Sequence, residues 1–199
     1  MKFVRFGPRG EERPGVVFDN DTIVDISSLI DDIGPATIAT LGEVASQVDP
    51  TTLRSTELSS VRLGSPVARP HKILGIGLNY VDHASEAEME VPEEPIVFQK
   101  ATSSLSGPFD DILLPPGAEK VDWEVELGVV IGTEARYLSS PDDARAVVAG
   151  YTIAHDVSER AFQLERSGQW TKGKSADTFS PLGPWLVTPD EVPESLDLH

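Results

Sequence analysis

Cysteine is absent from this chain, which removes disulfides, thiolate metal sites and thiol nucleophiles from consideration together and fits a reducing, cytoplasmic setting. No apolar run comes near the roughly 20 residues needed to cross a bilayer. The opening "MKFVRFGPRG" has no apolar stretch of secretory-signal type. Basic residues are few: 16 Lys and Arg stand against 33 Asp and Glu, a formal net charge of -17. Nucleic acid and anionic membrane both require a basic surface, so neither is expected as a partner. The balance suits a protein that collects cations, although acidity alone names no substrate. Internal repeats and low-complexity tracts are missing too. What is present is 39% hydrophobic content over 199 residues, enough for a real core in one large domain or in a small domain joined to a larger one.

Residues 1–66 read as a small N-terminal α/β domain, with alternating strand-like pieces at "KFVRF", "GVVF" and "TIVDI" and a helix-like "PATIATLGEVASQV". Carboxylates in this part sit on turns such as "FDND" and "IDD" and form no reactive constellation. The two prolines of "LGSPVARP" mark a linker, and residues 67–199 form the second domain. There, short apolar runs alternate with dense polar clusters. They read as strand "KILGIG", a short helix from about Asn79, strands "PIVFQK" and "WEVELGVVIG", a helix opened by "SSPDDARAVV", strand "GYTIAHDV", and a polar excursion ending at "GPWLV". Ser140 is placed to cap the second helix, Pro141 suits its first position, and Asp142 and Asp143 favour its positive end.

The chemistry concentrates around "DWEVELGVVIG". Glu124 and Glu126 are two apart on a strand and therefore share a face. At about 7 Å and an effective dielectric near 20, two ionised carboxylates repel by roughly 2 kcal/mol. Spacing alone favours a solvent-facing pair over a shared proton or a bound cation, and the apolar continuation of the strand weakens that preference. Asp156, ending another apolar strand, reads alone as a turn or cap residue, but a neighbouring strand of the same sheet would bring it to the same rim. Three such carboxylates would make an all-oxygen site for a hard divalent ion. In "GLNYVDHASE", His83 and Glu86 stand three apart on a helical turn, either as an exposed pair or as an imidazole oriented by a carboxylate to act as a general base. The excursion after Asp156 holds Arg160, Gln163, Lys172, Lys174 and Asp177 with Trp170. It is either ordinary surface or a loop arched over the site. Lys100 can reach the same rim, whereas His155 alternates away from Asp156 and reads as packing or surface.

Taken in order, "GLNYVDHASE", "PIVFQK", "DWEVELGVVIG", "GYTIAHDVSERAFQ" and "WTKGKSADTFSPLGPW" resemble the motifs of the fumarylacetoacetate hydrolase family over most of residues 71–188. The resemblance implies an α+β fold, a mixed β-roll catalytic domain, and a homodimer. By it, Glu124, Glu126 and Asp156 match the ligands of Mg²⁺ or Mn²⁺. His83 and Glu86 match the catalytic dyad, with Lys174 the third catalytic residue. Gln163, Arg160 and Lys100 match residues that hold a small-molecule 2-oxo acid.

The resemblance implies cleavage of a carbon–carbon bond in a 2,4-dioxo acid, an acylpyruvate or a 2,4-diketo-3-deoxy sugar acid, to release pyruvate in a catabolic reaction. Two other functions stay open at this point. One is decarboxylation or tautomerisation of oxaloacetate, or isomerisation or hydration of an unsaturated 2-oxo diacid, at the same metal site. The other is a non-catalytic metal-binding or dimerisation remnant, since the family's catalytic domain continues past the point matching "GPWLVT" and the domain here is expected to be incomplete at its C-terminus.

Overall fold

The computed structural model describes residues 1–81 and 90–193. Its elements in chain order are β1 (Lys2–Phe6), β2 (Arg13–Phe18), β3 (Thr22–Asp25), α1 (Leu41–Ala45), β4 (Ser55–Glu57), β5 (Leu63–Gly64), β6 (Ile73–Gly77), β7 (Ile96–Lys100), β8 (Leu105–Ser106), β9 (Val121–Asp122), β10 (Val125–Ile131), α2 (Pro141–Ala146), β11 (Val148–His155), β12 (Ser158–Glu159), α3 (Arg160–Leu164), α4 (Thr171–Lys174) and β13 (Ser180–Val187). Short single-turn helices join some of them.

One sheet dominates, in the order β10-β11-β13-β1-β2-β3-β4, with β5 on β1 and β8 on β13. Its pairings are antiparallel except for β8 with β13. The small pairs β6–β7 and β9–β12 lie outside it. The architecture is α+β, a mostly antiparallel sheet with a few short helices.

Strand β1 is central because both its faces are apolar. Phe3 packs with Val16, Ile26, Ile33, Leu41 and Leu186 on one side. Val4 and Phe6 pack with Val17, Ile23 and Leu63 on the other. This alternation is the period-two pattern of "KFVRF", and each large side chain buried in it contributes about 1.5–3 kcal/mol. The strand also ties the chain together, since Lys2 and Phe3 register with Val187 and Leu186 of β13. Residues before and after position 66 thus share a ladder. The segment expected as a linker, "LGSPVARP", is buried from 63 to 68. Leu63–Gly64 pairs with β1, and Val67 joins the core.

The expected helix "PATIATLGEVASQV" shortens to a single turn at Ile38–Thr40 and the five residues of α1. Hydroxyls explain the loss: Thr40 donates to the Thr37 carbonyl at 2.8 Å and Ser46 to that of Glu43 at 2.7 Å, offering the backbone alternatives to a continuous helix. Gly42 inside the run weakens it further. Helix α2 is capped as expected, with the Asp143 N–H donating to Ser140 Oγ at 3.1 Å and Pro141 at its first turn.

Candidate functional site

Strands β10 and β11 run antiparallel with Glu126 opposite Ala154 and Val125 opposite His155. The ladder continues one step beyond β10, where the Asp156 N–H donates to the Glu124 carbonyl at 3.0 Å. Asp156 is therefore the cross-strand neighbour of Glu124, and Glu126 lies two residues along the same face. One carboxylate oxygen from each of the three falls within 4.8 Å of the others. Asp156 is buried and the two glutamates are half-buried.

Cations surround this cluster. Lys174, almost wholly buried at 2% exposure, donates from Nζ to both oxygens of Glu124 at 3.1 and 3.2 Å, to Asp156 Oδ2 at 2.5 Å and to Ser158 Oγ at 2.8 Å. Helix α4 holds it there by docking on β7: Thr171 Oγ1 donates to the Gln99 carbonyl at 2.8 Å, and the rings of Trp170 and Phe98 lie 5.5 Å apart. The Lys174 ammonium also stands 5.0 Å from the Phe98 ring centre. Lys100, at the end of β7, takes the other side of Asp156 through Oδ1 and donates to the Phe179 carbonyl at 2.9 Å. Arg160 bridges Asp122 and Glu124 at 2.8 and 2.6 Å, and its Nη1 donates to Gln163 Oε1 at 3.0 Å.

Crowding of charge sets the acidities. Burial, and then the charges of Asp156 and Glu124, push the Glu126 carboxyl up to about 7. Burial lowers Lys100, although Asp156 opposes that shift. For Arg160, burial is outweighed by Asp122 and Glu124, so the guanidinium is held more firmly protonated than usual. The three carboxylates are all-oxygen, hard donors close enough for one ion to reach. That donor set fits Mg²⁺ or Mn²⁺, and such an ion would offset the repulsion that raises Glu126.

The structure thus brings together Glu124, Glu126, Asp156, Lys174, Lys100, Arg160 and Gln163. His83 and Glu86 lie outside the described residues. His155 faces away from the cluster, as its alternation implies, and lines a pocket with Pro108, Phe109 and Ile153. Its Nε2 is buried with no hydrogen-bond partner among the described residues, and burial and the charge of Lys100 lower its basicity. Three participants escaped the sequence reading. Ser158 accepts from Lys174 and donates to Glu124 Oε1 at 3.2 Å. Asp122 anchors Arg160. The Tyr80 hydroxyl accepts the Leu127 N–H at 3.3 Å. Parity offered a signal for the first two: Asp122 lies two residues before Glu124 and Ser158 two after Asp156.

Fold and site together define an α+β protein whose sheet carries a carboxylate centre bracketed by buried lysines. The family model described as Fumarylacetoacetate (FAA) hydrolase C-terminal matches residues 72–199. A Burkholderia ambifaria protein, whose name goes no further than a hydrolase assignment, is 51% identical over 197 residues, 98% of this chain and 68% of that protein. Among solved structures, the fumarylacetoacetate hydrolase of Exiguobacterium antarcticum aligns with a TM-score of 0.81 at 34% identity, over 97% of this chain and 68% of that one. Maleylpyruvate hydrolase from a Sphingobium species, in complex with manganese (II) ion and pyruvate, aligns at 0.77 and 30% identity, over 96% and 69%. The 5-carboxymethyl-2-hydroxymuconate delta-isomerase of Mycobacterium smegmatis aligns at 0.71 and 30% identity, over 95% and 66%. The chain belongs to the fumarylacetoacetate hydrolase family, which contains both hydrolases and isomerases.

Proposed function

We propose that this protein hydrolyses a carbon–carbon bond of a 2,4-dioxo acid, releasing pyruvate and a carboxylic acid, as a cytoplasmic homodimer dependent on Mg²⁺ or Mn²⁺. The observation that carries the reading is the convergence of three carboxylate oxygens within 4.8 Å and a buried lysine touching two of those side chains. A manganese- and pyruvate-bound maleylpyruvate hydrolase among the structural neighbours supports the choice of product.

In this reading Glu124, Glu126 and Asp156 would hold a divalent ion, which would supply positive charge to polarise a bound 2-oxo acid. Arg160 and Gln163 orient the substrate, and Lys100 keeps Asp156 in place from the far side. His83, oriented by Glu86, takes a proton from water. The resulting hydroxide attacks the C4 carbonyl, and Lys174 and Gln163 stabilise the tetrahedral oxyanion. The C3–C4 bond then breaks, its electron pair stays on the pyruvate fragment as an enolate, and the proton from His83 returns to C3.

Purified protein with Mn²⁺ and an acylpyruvate or a 2,4-diketo-3-deoxy sugar acid is expected to form pyruvate, followed by coupling to lactate dehydrogenase. No pyruvate from any 2,4-dioxo acid, with oxaloacetate alone consumed, overturns the hydrolase assignment. A second reading, isomerisation of an unsaturated 2-oxo diacid, is favoured by the likeness to the muconate isomerase. It predicts an ultraviolet absorbance change in such a diacid without release of pyruvate.

A further inference from the structure

Glu159 is fully buried, carries a charge, and is not one of the three carboxylates of the centre. Its Oε1 accepts the backbone N–H of Glu119 at 3.1 Å and of Lys120 at 2.8 Å, while its Oε2 accepts that of Phe162 at 2.5 Å. Burial would raise the carboxyl, but the N–H groups of Lys120, Glu119 and Phe162 outweigh it and keep the group an ionised acceptor. A buried carboxylate is an expensive way to satisfy three backbone donors unless their placement matters.

What those donors place is the polar side of the site. Phe162 belongs to the first turn of α3, so the Glu159 side chain caps the helix that presents Arg160 and Gln163. Residues 119–120 lead into β9, which pairs with β12 through Val121 opposite Glu159 and Asp122 opposite Ser158. The Arg160 N–H closes the same junction by donating to the Lys120 carbonyl at 2.9 Å. Asp122, one of the two carboxylates that hold the Arg160 guanidinium, and the start of α3, which carries Arg160, thus both depend on this junction.

The neighbouring helix is registered against it as well. A Cβ placed on Gly173 would lie 2.6 Å from the Gln163 nitrogen and 2.7 Å from the Glu159 carbonyl, so α4 and its Lys174 rest directly on the backbone that Glu159 braces.

We infer that Glu159 is a positioning residue: its buried carboxylate fixes α3 to the 119–120 segment and thereby sets Arg160 and Gln163 for binding a 2-oxo acid. The inference rests on the site being one that binds such an acid beside a divalent ion. Glutamine has one oxygen and one NH₂ group, so it can satisfy Glu119 and Lys120 only by facing a donor toward the Phe162 N–H. Aspartate can still cap α3 but falls one methylene short of the 119–120 segment. Calorimetric titration of the protein with Mn²⁺, and then of the Mn²⁺-loaded protein with oxalate, a planar mimic of a 2-oxo acid, separates the roles. Wild-type protein is expected to bind both. E159Q and E159D are expected to keep Mn²⁺ affinity within about threefold and to lose oxalate affinity by about tenfold, the loss typical of misplaced supporting groups. If E159Q does not fold, E159D alone decides. Unchanged oxalate affinity, or a parallel loss for Mn²⁺ and oxalate, overturns the positioning role. Failure of the wild-type protein to bind Mn²⁺ or oxalate overturns the reading of the site instead.

Discussion

Replacing Glu126 by glutamine removes one charge from the carboxylate cluster while keeping the shape of the side chain. The Glu126 carboxyl is pushed from an ordinary 4.5 to about 7, chiefly by burial and then by Asp156 and Glu124. Between those two pH values the folded protein binds a proton that the unfolded chain has released, so stability falls as pH rises through this window and stays lower above it. At about 1.4 kcal/mol per tenfold weakening of the acid, ionised Glu126 costs the fold about 3 kcal/mol. Its remaining exposure brings the expected figure to about 1–3 kcal/mol. E126Q is therefore expected to be more stable than the wild type at pH 8 in the presence of EDTA, with a midpoint higher by about 3–10 °C for a chain of this size. At pH 4.5 the difference should close. Added Mn²⁺ should reverse the order, because an ion at a hundred times its dissociation constant stabilises the wild type by about 2.7 kcal/mol, and the variant has lost a ligand. Thermal unfolding followed by circular dichroism at both pH values, with and without Mn²⁺, reads all of this. An E126Q protein less stable than wild type at pH 8 in EDTA, or one with an undiminished Mn²⁺ shift, would refute the reasoning.

K174M leaves Glu124 and Asp156 without the ammonium that joins them. Because Asp156 is buried, the loss is expected to be about 3–5 kcal/mol in EDTA, with Mn²⁺ recovering a large part of it in the same melt and pyruvate formation abolished. H83A should keep Mn²⁺ affinity by calorimetry and lose turnover, and retained turnover sinks the proposed general base. Arg62 joins Asp110 and Glu12 at 2.6 and 2.9 Å and holds the pKa of both carboxyls below the ordinary carboxylate range against the pull of burial. Depressed carboxyls stabilise the fold above their ordinary pKa values and lose that contribution as pH falls through the folded ones. R62A should therefore cost about 1–3 kcal/mol near neutrality and shrink that difference below about pH 4, measurable by urea unfolding across pH.

Much of the site was legible in the chain because its signals are local. The parity of Glu124 with Glu126, the cap at Ser140 and the alternation of His155 away from Asp156 each follow from a strand or helix period over a few residues. The helix expected over "PATIATLGEVASQV" failed for an equally local reason, since hydroxyl back-bonding and Gly42 compete with the helical ladder. The supposed linker failed for a different one: whether "LGSPVARP" is exposed depends on β1 offering an unpaired edge to Leu63–Gly64, which no window on that segment contains.

By itself, then, the order of residues determined the membership of the chain in its family, two same-face carboxylates and the types of side chain available to act with them. Tertiary structure decided which of those side chains meet. Asp156 stands opposite Glu124 only in the observed β10–β11 register, and a slip of one residue would send it to the other face. Lys100 and Lys174 come from separate elements to bracket the same aspartate, and Glu159 meets the 119–120 segment where β9 pairs with β12. These contacts join residues tens of positions apart, so their geometry is set by ladder register and packing rather than by any local pattern.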